Sequence, residues 1–167
     1  LNGHSTGGLV AALFAHRGRG RERVEGVFLN SPFLDMNLPD WQERGVEPAL
    51  AALGRVGPRL PLVGLSPLYG ESLHEDHRGS WRYDLEWKPV AGFRTRAGWF
   101  GAIHRAQEEV ARGLDIPCPV LLLHAERSLR PTSWTEEVRR ADIVLDVEDM
   151  KRLAPRLGPH VEVHAVP

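Results

Sequence analysis

What this chain of 167 residues has little of excludes most specialised classes of protein. It holds one cysteine, Cys118, set between Pro117 and Pro119, so no disulfide framework staples it. A buried structural thiol is the expected state, and the pattern suits a reducing compartment. No apolar run reaches the length of about 18 residues that crosses a bilayer, so no integral membrane segment is expected. Charge of one sign is missing too. Its 21 Lys and Arg against 22 Asp and Glu leave a net charge of −1, which gives no electrostatic case for nucleic acid or an anionic membrane. The densest basic group, Arg17, Arg19, Arg21 and Arg23, is interrupted by Glu22 and flanked by Glu25, and reads as a solvated loop. Repeats and low-complexity tracts are absent. What is there, 42% hydrophobic and 26% charged, is ordinary globular material of single-domain size, with a cytoplasmic location expected.

The most specific feature is Gly3-His4-Ser5-Thr6-Gly7-Gly8. It fits G-x-S-x-G, the turn that lifts a nucleophilic serine above a sheet between a strand and a helix. Ser5 is expected at a strained backbone position, and side chains at positions 3 or 7 are expected to collide across the turn. An Ala/Leu-rich helix follows, with Leu9, Val10, Leu13 and Phe14 assigned to one face and a stop at Arg17-Gly18-Arg19-Gly20. Val24 to Pro32 then carries a short apolar strand, which completes a strand-helix-strand unit.

From Leu34 to about Arg96 the character changes. Six prolines (39, 48, 58, 61, 67, 89) and Trp41, Trp81 and Trp87 stand among many charges. A short helix is expected over Glu47–Arg55 and irregular chain elsewhere, with the tryptophans arguing for burial. An insert of this kind between two core strands reads as a cap over the strand C-terminal ends. Ala97 to Leu114 predicts a helix with Phe100, Ile103, His104, Val110 and Leu114 on one face and Gln107, Glu108, Glu109 and Arg112 on the other. Ile116 to Ala125 predicts a central strand, Val147 to Leu157 a helix, and Val161 to Val166 a last strand.

The elbow, the strand Ile116-Pro117-Cys118-Pro119-Val120-Leu121-Leu122-Leu123-His124 and the insert between them resemble the monoglyceride-lipase-like α/β-hydrolases. This group is also called the serine aminopeptidase S33 or lysophospholipase-type group. Asn30-Ser31-Pro32 is similar to the A-S-P that follows the family's next strand. The resemblance implies an α/β fold, the C-terminal part of an α/β-hydrolase with a mostly parallel sheet and flanking helices. Residues 1–33 and 97–167 would form the core and 34–96 the cap or lid. It further implies a Ser-Asp-His triad acting on a small-molecule acyl ester, with no metal and no organic cofactor. A peptidase, a C–C hydrolase, an acyltransferase and a non-catalytic binding protein are the alternatives on this fold.

Ser5 is the expected nucleophile and the Thr6 backbone N–H one oxyanion donor, with Gly3, His4 and Gly7 completing the elbow. The candidate acids are Asp142, Glu126, Asp35 and Asp146. The family places its acid shortly after L-L-L-H-G, where this chain reads Glu126-Arg127-Ser128-Leu129-Arg130. Asp142 is favoured because Asp142-Ile143-Val144 resembles the family's acid turn if an insertion precedes it. Asp146 opens a helix and reads as its N-cap, Asp35 stands at the cap entrance, and Glu126 is crowded by Arg127. His4 is expected packed beneath the elbow and His124 as a structural residue at the site floor. His160 and His164 precede the loop in which the family carries its base, so the triad histidine is expected beyond Pro167. On that reading the 167-residue segment alone is not a competent catalyst. His74 and His77, with Glu75 and Asp76, lack a third well-spaced ligand group for a metal.

Overall fold

The computed structural model describes residues 1–37, 49, 52–62, 64 and 66–167. Four parallel strands form its centre: β1 (Asn2–Ser5), β2 (Val27–Pro32), β3 (Val120–Ala125) and β4 (Val161–Val166), side by side in that order. Helix α1 (Thr6–Arg17) joins β1 to β2. The connection from β2 to β3 carries α2 (Pro67–Leu73) and α3 (Ala97–Arg112), and α4 (Val147–Leu153) precedes β4. Parallel neighbours require such crossovers, and covering helices explain the apolar runs of β2 and β3. Leu29 and Leu122 are fully buried, and Val27 and Val120 nearly so. Around them close Leu9 from α1, Ile103 and Val110 from α3, and Met150 and Leu153 from α4.

Two expected strands prove shorter. The chain joins the ladder at Val27 rather than Val24, and at Val120 rather than Ile116. Pro117 and Pro119 lack the N–H a ladder needs, which delays β3. The last helix is α-helical only to Leu153, continuing as a 3-10 turn through Ala154-Pro155-Arg156. An unforeseen helix is α2. Its start is signalled by Ser66, whose Oγ accepts from Leu68 N at 3.3 Å, and by Pro67 in the first turn. The helix expected over Glu47–Arg55 falls partly outside the described residues, as do Trp41, Pro39 and Pro48; residues 52–56 are helical.

Burial also differs from the helical pattern. On α1, Gly8, Leu9, Ala11, Ala12 and Ala15 face the core, while Val10 and Phe14 stand 58% and 40% exposed. Close packing selects the small residues: a Cβ on Gly8 would lie 2.8 Å from the Pro32 Cβ. On α3, Gln107 is buried because its Nε2 donates to the Phe33 carbonyl at 3.1 Å. Trp81 and Trp87 are exposed rather than buried. Their segment is organised by polar contacts around His74: Nε2 meets the Tyr83 carbonyl at 3.0 Å and Nδ1 accepts from Asp76 N at 3.1 Å.

The glycines of the elbow divide likewise. A Cβ on Gly3 would stand 2.5 Å from the Gly7 carbonyl oxygen, whereas one on Gly7 would meet nothing within 4 Å. Gly7 points outward from the first turn, so the steric demand placed there falls on Gly8 instead. Gly8→Ala is therefore expected to lower stability by about 1–3 kcal/mol through overpacking. Gly7→Ala, in a helix with open space, should be neutral or stabilising by up to about 1 kcal/mol. Denaturant titration of both variants checks the contrast, and equal effects would contradict it.

Candidate active site

Ser5 ends β1 and caps α1 at φ 52°, ψ −123°, a left-handed backbone that costs a non-glycine residue about 1–3 kcal/mol. The local ladder shows how it is held. His4 pairs with Asn30 but Ser5 pairs with Pro32, so Ser31 is an extra residue in β2, itself at φ 41°. Phe33 N then donates to the Ser5 carbonyl at 3.0 Å. Ser5 is half-buried. The first turn of α1 has no acidic residue and no side-chain cap, so its backbone N–H groups, Thr6 included, gather positive potential beside the serine.

Ser5 opens on a cleft of about 770 Å³ above the C-terminal ends of the strands. His4, Asn30, Ser31 and His124 line it from the sheet, Tyr69, Ser80 and Trp81 from the insert, and residues 138–145 from the far side. That last segment contains Asp142. The chain leaves β3 at Ala125, makes an excursion through a 3-10 turn (Glu136–Arg139), and returns to the strand end. There Asp142 N donates to the Arg127 carbonyl at 3.0 Å, and Leu129 N donates to the Asp142 carbonyl at 2.9 Å. Its Oδ1 accepts from Val144 N at 2.9 Å and Leu145 N at 2.8 Å. Two backbone donors on one oxygen fix the carboxylate's orientation, and Oδ2 accepts no hydrogen bond among the described residues.

The other three acids sit elsewhere. Asp35 Oδ2 is paired with Arg152 at 2.6 Å, and Arg152 also holds Asp149 at 2.6 Å. Both carboxylates raise the guanidinium's pKa. Burial raises Asp149, against the hydrogen bond from Arg152. Asp146 Oδ1 caps α4 by accepting from Glu148 N at 2.9 Å. Glu126 is exposed, its backbone N–H spent on the Val166 carbonyl. Of the four, Asp142 alone lines the cleft with Ser5.

The histidines are distributed less simply. His4 is exposed rather than packed beneath the elbow, its Nδ1 2.9 Å from the Asn30 carbonyl. His124 is buried on the cleft floor, with Nδ1 2.6 Å from the carbonyl of Ala125. His164 pairs with Glu162 on the exposed face of β4. In the His74–His77 stretch both His74 nitrogens are already engaged, and no group of three or more potential metal ligands occurs among the described residues. Among the described residues no helix is long and apolar enough to cross a membrane.

Tyr69, on α2, is not legible in the sequence, because a lone tyrosine in a proline-punctuated stretch carries no pattern. In the cleft its phenol is pushed above its ordinary value by burial, and then by the negative charge of Asp142 and by Tyr83. A phenol held neutral in the fold contributes stability that is lost as pH rises from its ordinary value of about 10 toward the raised one. The expected result of an ultraviolet titration is a late-titrating tyrosine that disappears in Tyr69→Phe and moves down in Asp142→Asn. An unchanged curve in Asp142→Asn would show that the charge does not reach the phenol.

The model of the serine aminopeptidase, S33 family matches residues 1–128. Among solved structures, a monoacylglycerol lipase from Paleococcus ferrophilus superposes with a TM-score of 0.69 at 23% identity, covering 99% of this chain and 57% of that one. A soluble variant of the monoglyceride lipase from Saccharomyces cerevisiae, solved with a substrate analogue, gives 0.65 at 14% identity, with 99% and 52% covered. A structure from work on the metagenome-derived lipolytic enzymes LipS and LipT gives 0.53 at 16%. The chain thus spans about half the length of the structures it matches. No curated protein matches it by sequence.

Proposed function

This chain belongs to the serine aminopeptidase S33 family, and we propose that it carries the nucleophile and the acid of a serine hydrolase acting on carboxylic esters. The observation that carries the reading is the strained turn at Ser5 opening on the same cleft as Asp142. Ser5 Oγ attacks the ester carbonyl carbon as its proton passes to a histidine base. The tetrahedral oxyanion is met by the Thr6 N–H at the positive end of α1. The alcohol leaves with the proton from the base, and water then hydrolyses the acyl-serine by the same route.

Asp142 is the acid in this scheme, holding the base's tautomer and stabilising its protonated form. Support comes from its two backbone donors, which present one carboxylate edge in a fixed direction, and from the engagement of Asp35 and Asp146 in ion-pair and capping roles. His4 and His124 are not arranged as the base, since a backbone carbonyl and not a carboxylate faces Nδ1 of each ring. Residues 34–96 act as a cap, an assignment supported by Tyr69 and Trp81 on the cleft wall. The monoacylglycerol lipases of matching fold favour acyl glycerol esters as the substrate class.

Fluorophosphonate labelling and ester hydrolysis in the intact protein test the assignment. Ser5→Ala should abolish labelling, and Asp142→Asn should lower kcat by about 10⁴ while leaving the fold intact. Near-normal turnover in Asp142→Asn, with an inactive Glu126→Gln or Asp35→Asn, would move the acid role to that residue.

A further inference from the structure

The segment that follows β2 carries a side chain that reaches Asp142 through a single peptide group. Asn37 Nδ2 donates to the Val144 carbonyl at 3.0 Å, across 107 residues of sequence. That carbonyl belongs to the same planar peptide unit as Leu145 N, which donates to Asp142 Oδ1 at 2.8 Å. On its other side the Asn37 carbonyl oxygen accepts from Arg130 Nη2. A guanidinium has donors only, so Arg130 assigns Oδ1 to its own side and turns Nδ2 toward Val144. Guanidinium, side-chain amide, peptide and carboxylate thus stand in series, with every N–H directed toward the anion. Hydrogen bonds in such a series polarise one another, by about 10–30% per bond. Asn37 is itself held firmly. Leu34 and Met36 are buried, and Asp35 between them pairs with Arg152 of α4 at 2.6 Å.

A triad acid must keep one carboxylate edge aimed at the imidazole, and a guanidinium bound directly to that carboxylate would compete with the imidazolium for it. Here the nearest carboxylate to Arg130 is Asp146 at 4.0 Å, and Arg130 reaches Asp142 only through two amides. We propose that Asn37 is a positioning residue for the triad acid, acting on Asp142 through the Val144–Leu145 peptide, with Arg130 fixing the direction of its amide. The inference rests on the reading of Asp142 as that acid. Loss of the Asn37 donor leaves Val144 N on Oδ1 but frees the Val144–Leu145 peptide to tilt, and the carboxylate turns with it. An imidazole facing a turned carboxylate is held less well in its tautomer and is less stabilised as imidazolium. Asn37 itself lies off the cleft lining, so substrate binding does not depend on it.

Hydrolysis of p-nitrophenyl butyrate by the intact protein across pH, with a double-mutant cycle between positions 37 and 142, tests the proposal. Asn37→Leu keeps the side chain's shape and removes the donor. It should lower kcat by about 10- to 100-fold with KM changed by less than about twofold. The acid limb of its kcat/KM profile should move to lower pH, because the imidazolium has lost stabilisation. In an Asp142→Asn background the same change should have almost no further effect. Arg130→Ala, at an exposed position that the fold tolerates, should show a smaller loss of the same kind. Nuclear magnetic resonance gives a readout apart from activity: the Leu145 amide proton should move upfield in Asn37→Leu and in Arg130→Ala. An unmoved acid limb, a loss that multiplies with that of Asp142→Asn, or a Leu145 amide unchanged in both variants would overturn the proposal. A disabled Asp142→Asn beside a normal Asn37→Leu would remove this inference alone, whereas near-normal turnover in Asp142→Asn would remove the acid reading and the inference with it.

Discussion

The arrangement depends on how closely α1 and β2 approach each other at the end of β1. Gly3 lies against the backbone of Gly7 and Gly8, and Gly8 lies against Pro32, with no room for a methyl group at positions 3 or 8. Only at that separation can the helix begin one residue after the strand, and the serine between them is then forced into the left-handed region. The strain is held by what surrounds it. Phe33 N donates to the Ser5 carbonyl, and the Phe33 carbonyl accepts from the buried Gln107 of α3. Phe33 also stacks on Trp99 at 6.3 Å. The turn at Ser5 is thus tied to the helix that follows the insert as well as to its own.

The second organising feature is the return of the chain to the end of β3. Sixteen residues separate Ala125 from Asp142, yet the bridge between Ser128 and Asp142 brings them to one edge. Ser128 Oγ accepts from Val147 N at 2.7 Å and donates to the Leu145 carbonyl at 3.1 Å, which fastens the same loop to the start of α4. The excursion between them carries Arg139 and Arg140 to the cleft that Asp142 also lines. Asp142 reaches the cleft from the loop after β3, and Ser5 from the turn between β1 and α1.

Features that depend on neighbours in the chain are legible in the sequence. The G-x-S-x-G turn, the apolar strands around Leu29 and Leu122, and the capping of α4 by Asp146 follow from local spacing and side-chain chemistry. What depended on packing was not. Val10 and Phe14 have the right helical spacing for a core face, but the distance between α1 and the sheet admits Gly8, Ala11 and Ala12 instead. Gln107 reads as a surface residue until Phe33 offers it a carbonyl. Trp81 and Trp87 have the composition of a core, while their segment folds on the hydrogen bonds of His74. Asp142 is in between: its local turn is readable, its proximity to Ser5 depends on a bridge that no local pattern announces.

The central claim is that the strained serine and the backbone-held aspartate are parts of one catalytic unit. Crystallography of the intact protein after reaction with a fluorophosphonate tests it most directly. The account predicts phosphorus bonded to Ser5 Oγ, a phosphoryl oxygen about 2.7–3.1 Å from Thr6 N, and Asp142 Oδ2 hydrogen-bonded to an imidazole that faces the adduct. An unmodified Ser5, or an adduct whose facing imidazole is held by a carboxylate other than Asp142, would contradict it.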